Sequence, residues 1–148
     1  MDIGVFIFDT DYSINISELA EETEQRGYES LFVPEHTHIP TSRRSPFPGG
    51  GDLPKQYSHT LDPFVSLGFA AAATKSLKIG TGICLLPQRD PIVTAKSIAS
   101  LDLMSNGRFV LGLGGGWNVD EMENHGVTYK TRFSMMKEHV LAMKSLWV

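Results

Sequence analysis

Glu35, His36 and His38 stand almost side by side in this chain, His59 follows further on, Cys84 sits in an apolar run, and Gly114-Gly115-Gly116 lead into Trp117-Asn118. A histidine whose unperturbed pKa is about 6.5 suits proton transfer at neutral pH. Read alone, such a residue is more often a hydrogen-bonded structural one. Zinc is a third reading, with His36 and His38 joined by Glu35 and His59. His-x-His with distant partners lacks the cysteine pairs of structural sites, so no metal is assigned. Cys84 is the single cysteine, which excludes an internal disulfide and reads as a small buried hydrophobe.

Gly107 to Asp120 is the most informative stretch. Arg108 to Leu113 reads as a short apolar strand, Gly114 to Gly116 as a loop, and Asn118 with Glu121 as a helix N-cap and capping box. Successive glycines allow a backbone to pass close to a ligand, and the start of the following helix favours an anion or a polarised oxygen. A cofactor is expected there. The pattern is neither a dinucleotide fingerprint, whose third glycine is missing, nor a Walker loop, which needs Lys and Ser or Thr after the glycines. A tight turn with no ligand also accounts for a glycine run taken alone.

The 148 residues, 41% apolar and 20% charged, describe one globular domain with a single core. A net charge of -4 without a basic stripe argues against nucleic acid and leaves small molecules as partners. Met1 to Phe8 carry no positive leader region and no apolar run approaches about 18 residues, so neither secretion nor membrane insertion is indicated and a cytoplasmic protein is expected.

The elements that position these residues alternate. Ile3 to Phe8 reads as a strand buried on both faces. Asn15 and Glu18 open a helix with Ile16, Leu19, Ala20 and Thr23 on one face, and Gly27 closes it. Ser30 to Val33 is a second strand that delivers Glu35, His36 and His38 at its C-terminal end. Residues 37 to 61, rich in proline and glycine, form a loop far longer than usual, which marks it as functional or mobile. Asp62-Pro63 starts a largely buried helix, and Leu77 to Leu85 is a third strand in which Gly80 and Gly82 point to a bulge or a close ligand approach. Asp90-Pro91 starts another helix, with Ile92, Ala95, Ile98, Ala99 and Leu103 as its apolar face and Asn106-Gly107 as its stop. After the fourth strand come a short helix, Asn118 to Asn124, and a longer one opened by Thr131, in which Phe133, Met136, Val140, Met143 and Trp147 keep helical spacing.

Strand and helix thus alternate four times at intervals of roughly 30 to 40 residues, which argues an α/β fold with a parallel sheet. An open doubly wound sheet and a (β/α) barrel both fit. Polar or glycine-rich residues at the same end of every strand, and the length eight such units would reach, favour the (β/α)8 TIM barrel, of which this chain would supply about the first four β/α units.

Phe32-Val33-Pro34-Glu35-His36, Ile79-Gly80-Thr81-Gly82-Ile83, Pro91 with Lys96 and Asp102, Gly107-Arg108-Phe109 and Gly112-Leu113-Gly114-Gly115-Gly116-Trp117 together resemble the luciferase-like monooxygenase family of flavin- or deazaflavin-dependent TIM-barrel oxidoreductases. The resemblance runs over residues 1–148 and implies the N-terminal half of a family domain, the later half supplying much of the cofactor phosphate site. It implies coenzyme F420, a deazaflavin, or FMN as cofactor, and a small organic molecule as substrate. By resemblance, Glu35 and His36 match an acidic residue and histidine at the end of the second strand, with the histidine facing the reactive edge of the ring; aspartate is commoner at the first place. Gly82-Ile83 matches a junction where many members hold a non-proline cis peptide behind the ring. Gly115, Gly116, Trp117 and Asn118 match the loop along the cofactor.

His36 is on this basis the expected acid-base residue, with Glu35 beside it. Two other functions stay open at this point: a non-catalytic flavin-binding or partner protein, and a metal-dependent hydrolase on a similar barrel. Four strands of a closed barrel leave the first and fourth as apolar edges, so self-association or a C-terminal half-barrel partner is also expected.

Overall fold

A computed structural model describes residues 1–147. Four strands, β1 (Gly4–Phe6), β2 (Ser30–Val33), β3 (Lys78–Thr81) and β4 (Phe109–Val110), form one parallel sheet in the order β1-β2-β3-β4. Five helices follow or link them: α1 (Ile16–Gln25), α2 (Pro63–Ala73), α3 (Pro91–Met104), α4 (Val119–Asn124) and α5 (Arg132–Leu146). A doubly wound sheet reverses its strand order at a switch point; here the order is sequential. Right-handed crossovers between sequential parallel strands place every crossover helix on the same face, as in a (β/α) barrel.

The core lies under that helical face. Leu31, Val33 and Ile79 from the sheet pack with Ile16 and Ala20 of α1, Leu67 and Ala70 of α2 and Leu101 of α3, all buried. A second cluster, Leu86, Ala95, Ile98 and Met143, ties α3 to α5. Side chains set the helix starts. Asn15 accepts from Ser17 N at 2.9 Å, Asp62 from Phe64 N at 2.9 Å and Val65 N at 3.1 Å, and Asp90 from Val93 N at 2.8 Å, each cap satisfying N–H groups that a helix start leaves without partners. Asn106 and Gly107 end α3 with φ of 58° and 75°.

The opposite face of the sheet differs from the expectation. The expected strand runs from Ile3 to Phe8 with both faces buried; its ladder covers Gly4–Phe6, and Phe6, on the face away from the helices, is 54% exposed. One-sided crossovers leave that face uncovered. The third strand stops at Thr81 instead of Leu85; the Gly82–Ile83 peptide beyond it is cis, and Cys84 pairs separately with Leu113. The fourth is also shorter: Gly112 N turns from the ladder to Thr81 Oγ1 at 3.0 Å.

Three helices bury less of their apolar surface than expected. Val65 and Phe69 of α2 are exposed, leaving Ser66, Leu67, Ala70 and Ala71 inside. In α3 the buried stripe is Thr94, Ala95, Ile98 and Leu101; Ile92, Ala99 and Leu103 fall on the far side at 3.6 residues per turn. Phe133 and Trp147 keep the spacing of α5 yet remain exposed, while Met143 is its buried member. Among the described residues no helix is long and apolar enough to cross a membrane.

Candidate functional site

The C-terminal ends of the strands gather most of the residues singled out from the sequence. β2 runs into Pro34-Glu35-His36, and a backbone turning from strand to loop throws adjacent side chains to different sides. Glu35 faces inward and is 3% exposed. It accepts from Leu85 N at 2.7 Å and Arg89 Nε at 2.6 Å, and Arg89 reaches on to Asp62 at 2.8 Å. Burial opposes the Arg89 charge, but its bonds and attraction to Glu35 outweigh it and raise the guanidinium further. Burial, and then the negative Glu35, push the Cys84 thiol far up, so it stays protonated and unreactive.

His36 turns the other way and is 9% exposed. Its Nδ1 lies 2.8 Å from Glu121 Oε2, and the other Glu121 oxygen accepts from Thr37 N at 3.1 Å. The Glu121 side chain is 1% exposed and that of His36 6%. The expected capping box is therefore half made: Asn118 Oδ1 does accept from Glu121 N at 3.4 Å, but the Glu121 carboxylate leaves its own helix for His36 and Thr37. A buried carboxylate takes the strongest donors in reach, and an imidazole plus a backbone N–H exceed the single N–H of a cap.

Aromatic rings surround the imidazole. Tyr57 lies 5.3 Å from it and Trp117 5.8 Å, and Phe47 touches both Tyr57 and Trp117. Phe47 and Tyr57 come from the long loop, whose fastenings include an antiparallel bridge from Thr60 to Thr10, Arg44 on Asp120 at 2.9 Å, and Ser45 Oγ accepting from Val119 N at 2.9 Å. The loop thus packs against α4 and Trp117.

The glycines make room for neighbouring side chains. A Cβ at Gly114 would stand 1.6 Å from Ile83 Cδ1, and one at Gly116, where φ is 76°, would stand 2.5 Å from Met122 Cε. Their room is filled by the protein's own side chains. Gly114 lets Ile83 lie across the loop, where it remains 38% exposed. The Gly82–Ile83 peptide is cis, as the family resemblance implies. Asn118 is wholly buried, so its side chain holds α4 and does not line the surface.

The remaining histidines are dispersed. His38 bonds Asn124 at 2.8 Å and His59 bonds Asp11 at 2.8 Å, and among the described residues no group of three or more His, Cys, Asp or Glu is placed to hold a metal. Glu121, Arg89 and Tyr57 were not picked out as site residues. Glu121 was visible only as a cap; Arg89 precedes the Asp90-Pro91 helix start like an ordinary loop base; Tyr57 sits in a proline- and glycine-rich stretch with no pattern of its own.

At these strand ends Ile83 and Phe6 are exposed apolar side chains, and the Trp117 and Tyr57 rings stand beside one imidazole. Sequential parallel strands with helices on one side define a (β/α)-barrel fold, in which ligands are seated on the βα loops at the strand C-termini. A model of the luciferase-like monooxygenase family matches residues 1–148, and the chain belongs to that family. An uncharacterized protein of Mycobacterium tuberculosis is 44% identical over 150 residues, covering 99% of this chain and 53% of its own length. An F420-dependent secondary alcohol dehydrogenase, solved with an F420-acetone adduct, superposes with a TM-score of 0.76 and 26% identity over 99% of this chain and 42% of its own. The oxygenating constituent of 3,6-diketocamphane monooxygenase from Pseudomonas putida, solved with FMN, gives a TM-score of 0.77 at 22% identity over 99% and 39%. The chain therefore spans about half the length of the mycobacterial relative and less of the two solved proteins. The fold is that of the first four units of a (β/α)8 barrel.

Proposed function

We propose that this chain is the N-terminal half of an oxidoreductase that uses coenzyme F420 or FMN on a small organic substrate. The observation that carries the reading is a single one: His36, held at Nδ1 by a buried carboxylate, borders an apolar surface at the strand ends in a chain of this family. Ile83 and Trp117 would hold the ring, next to the cis Gly82–Ile83 peptide, with the Gly115-Gly116 backbone behind them. When bound, the cofactor supplies electron transfer to or from the substrate. The protein's own part is to exclude water with Tyr57, Phe47 and Trp117, and to give or take the substrate's proton at His36 Nε2. Glu35 and Asn118 support the site from behind, through Arg89 and Leu85 on one side and α4 on the other. The unpaired outer edges of β1 and β4 are where a C-terminal half-barrel or a second copy of the chain would pair.

The test is His36→Ala in a protein carrying the complete barrel. Cofactor affinity should stay within a few-fold while turnover falls about 10²- to 10⁴-fold, since the imidazole acts on a proton and contributes little to binding. Turnover that survives the substitution removes His36 from the chemistry.

A further inference from the structure

Glu121 has two carboxylate oxygens and two fixed neighbours. Oε1 accepts from the backbone N–H of Thr37 at 3.1 Å, and Oε2 faces His36 Nδ1 at 2.8 Å. The carboxylate is wholly buried, its backbone N–H is capped by Asn118, and the His36 carbonyl is tied down by Thr60 Oγ1 at 3.1 Å. The Tyr57 and Trp117 rings flank the imidazole, so neither partner has room to swing away. An ionised carboxylate can only accept, so the nitrogen facing it must carry a hydrogen.

We propose that Glu121 is the positioning residue that fixes the His36 proton on Nδ1 and thereby leaves Nε2 as the free acceptor at the ring surface. The inference rests on His36 being the acid-base group, but it concerns only residues of this chain. Histidine in water favours the opposite tautomer, with the hydrogen on Nε2, so the neutral ring would by itself present a donor to the substrate. The Glu121 carboxylate reverses that preference. It also stabilises the imidazolium formed when Nε2 takes up a proton, as a buried carboxylate does behind a catalytic histidine in hydrolases. No bond to Glu121 forms or breaks in the step: the substrate's proton moves to Nε2, and the Nδ1 proton stays where it is.

A substitution of one atom tests this. In Glu121→Gln the side chain has one accepting oxygen in place of two. Thr37 N–H is an obligatory donor, so the Gln oxygen must stay with it, and the Gln NH₂ is then turned toward His36 Nδ1. A donor facing Nδ1 forces that nitrogen to accept, and the ring hydrogen moves to Nε2. Nitrogen NMR of the ¹⁵N-histidine-labelled chain in mildly alkaline solution reads this directly, with the His36 signals assigned by their loss in His36→Gln.

The expected result is a protonated Nδ1 and an unprotonated Nε2 in the unsubstituted chain, exchanged in Glu121→Gln. A hydrogen on Nε2 in the unsubstituted chain overturns the proposal, as does an unchanged tautomer in a folded Glu121→Gln. Should that variant not fold, the unsubstituted spectrum decides alone, by the same two outcomes. The readout needs neither cofactor nor substrate: Nδ1–H in a protein that binds no flavin would leave the role of Glu121 standing and remove the oxidoreductase reading.

Discussion

Arg89→Met should cost more stability than any other single substitution at the edge of the site. Arg89 and Glu35 form a buried pair with side-chain exposures of 18% and 2%, and the guanidinium lies over the Phe64 ring at 4.7 Å. Methionine keeps much of the apolar stem and the contact with Phe64 while deleting the charge. Glu35 would lose its charged partner and retain the Leu85 N–H. Removing one member of a buried pair costs about 3–5 kcal/mol, and since Arg89 is partly reached by water, which can enter after it, the lower end applies. A loss of about 3 kcal/mol is roughly a hundredfold in the folding constant. Glu35→Gln added to Arg89→Met removes the stranded charge and keeps an acceptor for Leu85 N, so the double variant should recover about 2 kcal/mol. Urea unfolding followed by Trp fluorescence at 25 °C measures all three, with an unchanged m-value as the condition for comparing them. A single-variant loss below about 1 kcal/mol, or a double variant no better than Arg89→Met, would refute the reasoning that this pair is buried and coupled.

At the other end of the barrel Glu24 accepts from the backbone N–H groups of Ser76, Leu77 and Lys75 at 2.6, 2.8 and 3.0 Å, which against the opposing effect of burial holds its carboxyl down at about 2 from an ordinary 4.5. A pKa depressed by folding contributes stability that is complete above the unfolded value and lost as pH falls through the folded one, so the gap between the natural chain and Glu24→Gln should be full at neutral pH and close between about pH 5 and pH 2. A gap constant over that range would show that the carboxylate charge has no part in it. Gly27→Ala and Gly116→Ala share a φ near 77°, but only the second places its Cβ against Met122; both should lose about 1–2 kcal/mol for the left-handed backbone, and Gly116→Ala clearly more. Equal losses in thermal melts would mean that Met122 moves aside freely. The β1 and β4 edges and the exposed Phe6 face should make the chain associate as its concentration rises, which sedimentation velocity detects; a monomer at every concentration would contradict an open barrel face.

Local chemistry was legible in the sequence. Asn15, Asp62-Pro63, Asp90-Pro91 and Asn106-Gly107 each determine a helix end with atoms a few positions away, and all four do so here. Ser30 to Val33 was bounded correctly because Pro34 closes it and its flanking strands are both present. What the sequence hid depends on distance along the chain. The partners of Glu35 lie about fifty residues away and that of His36 eighty-five, so nothing local distinguished Glu121 the cap from Glu121 the histidine partner. Apolar runs show that a segment is buried but not on which faces, so Phe6 and Val65 looked like core and are exposed. The glycine loop was located correctly for a reason that proved incomplete, since a gap left for Ile83 and Met122 reads in sequence like a gap left for a ligand.

The central claim is that a flavin or deazaflavin ring lies on the strand ends beside His36. Titration of the ¹⁵N- and methyl-labelled chain with FMN and, separately, with coenzyme F420 tests it most directly. For at least one of the two, saturable shifts are predicted at the Ile83 methyls, the Gly115 and Gly116 amides and the Trp117 indole N–H, with the Lys75 to Leu77 amides at the opposite end of the barrel unmoved. No shifts with either cofactor, or shifts confined to the outer groove between α2 and α3 around Val65, Gly68 and Met104, would contradict it.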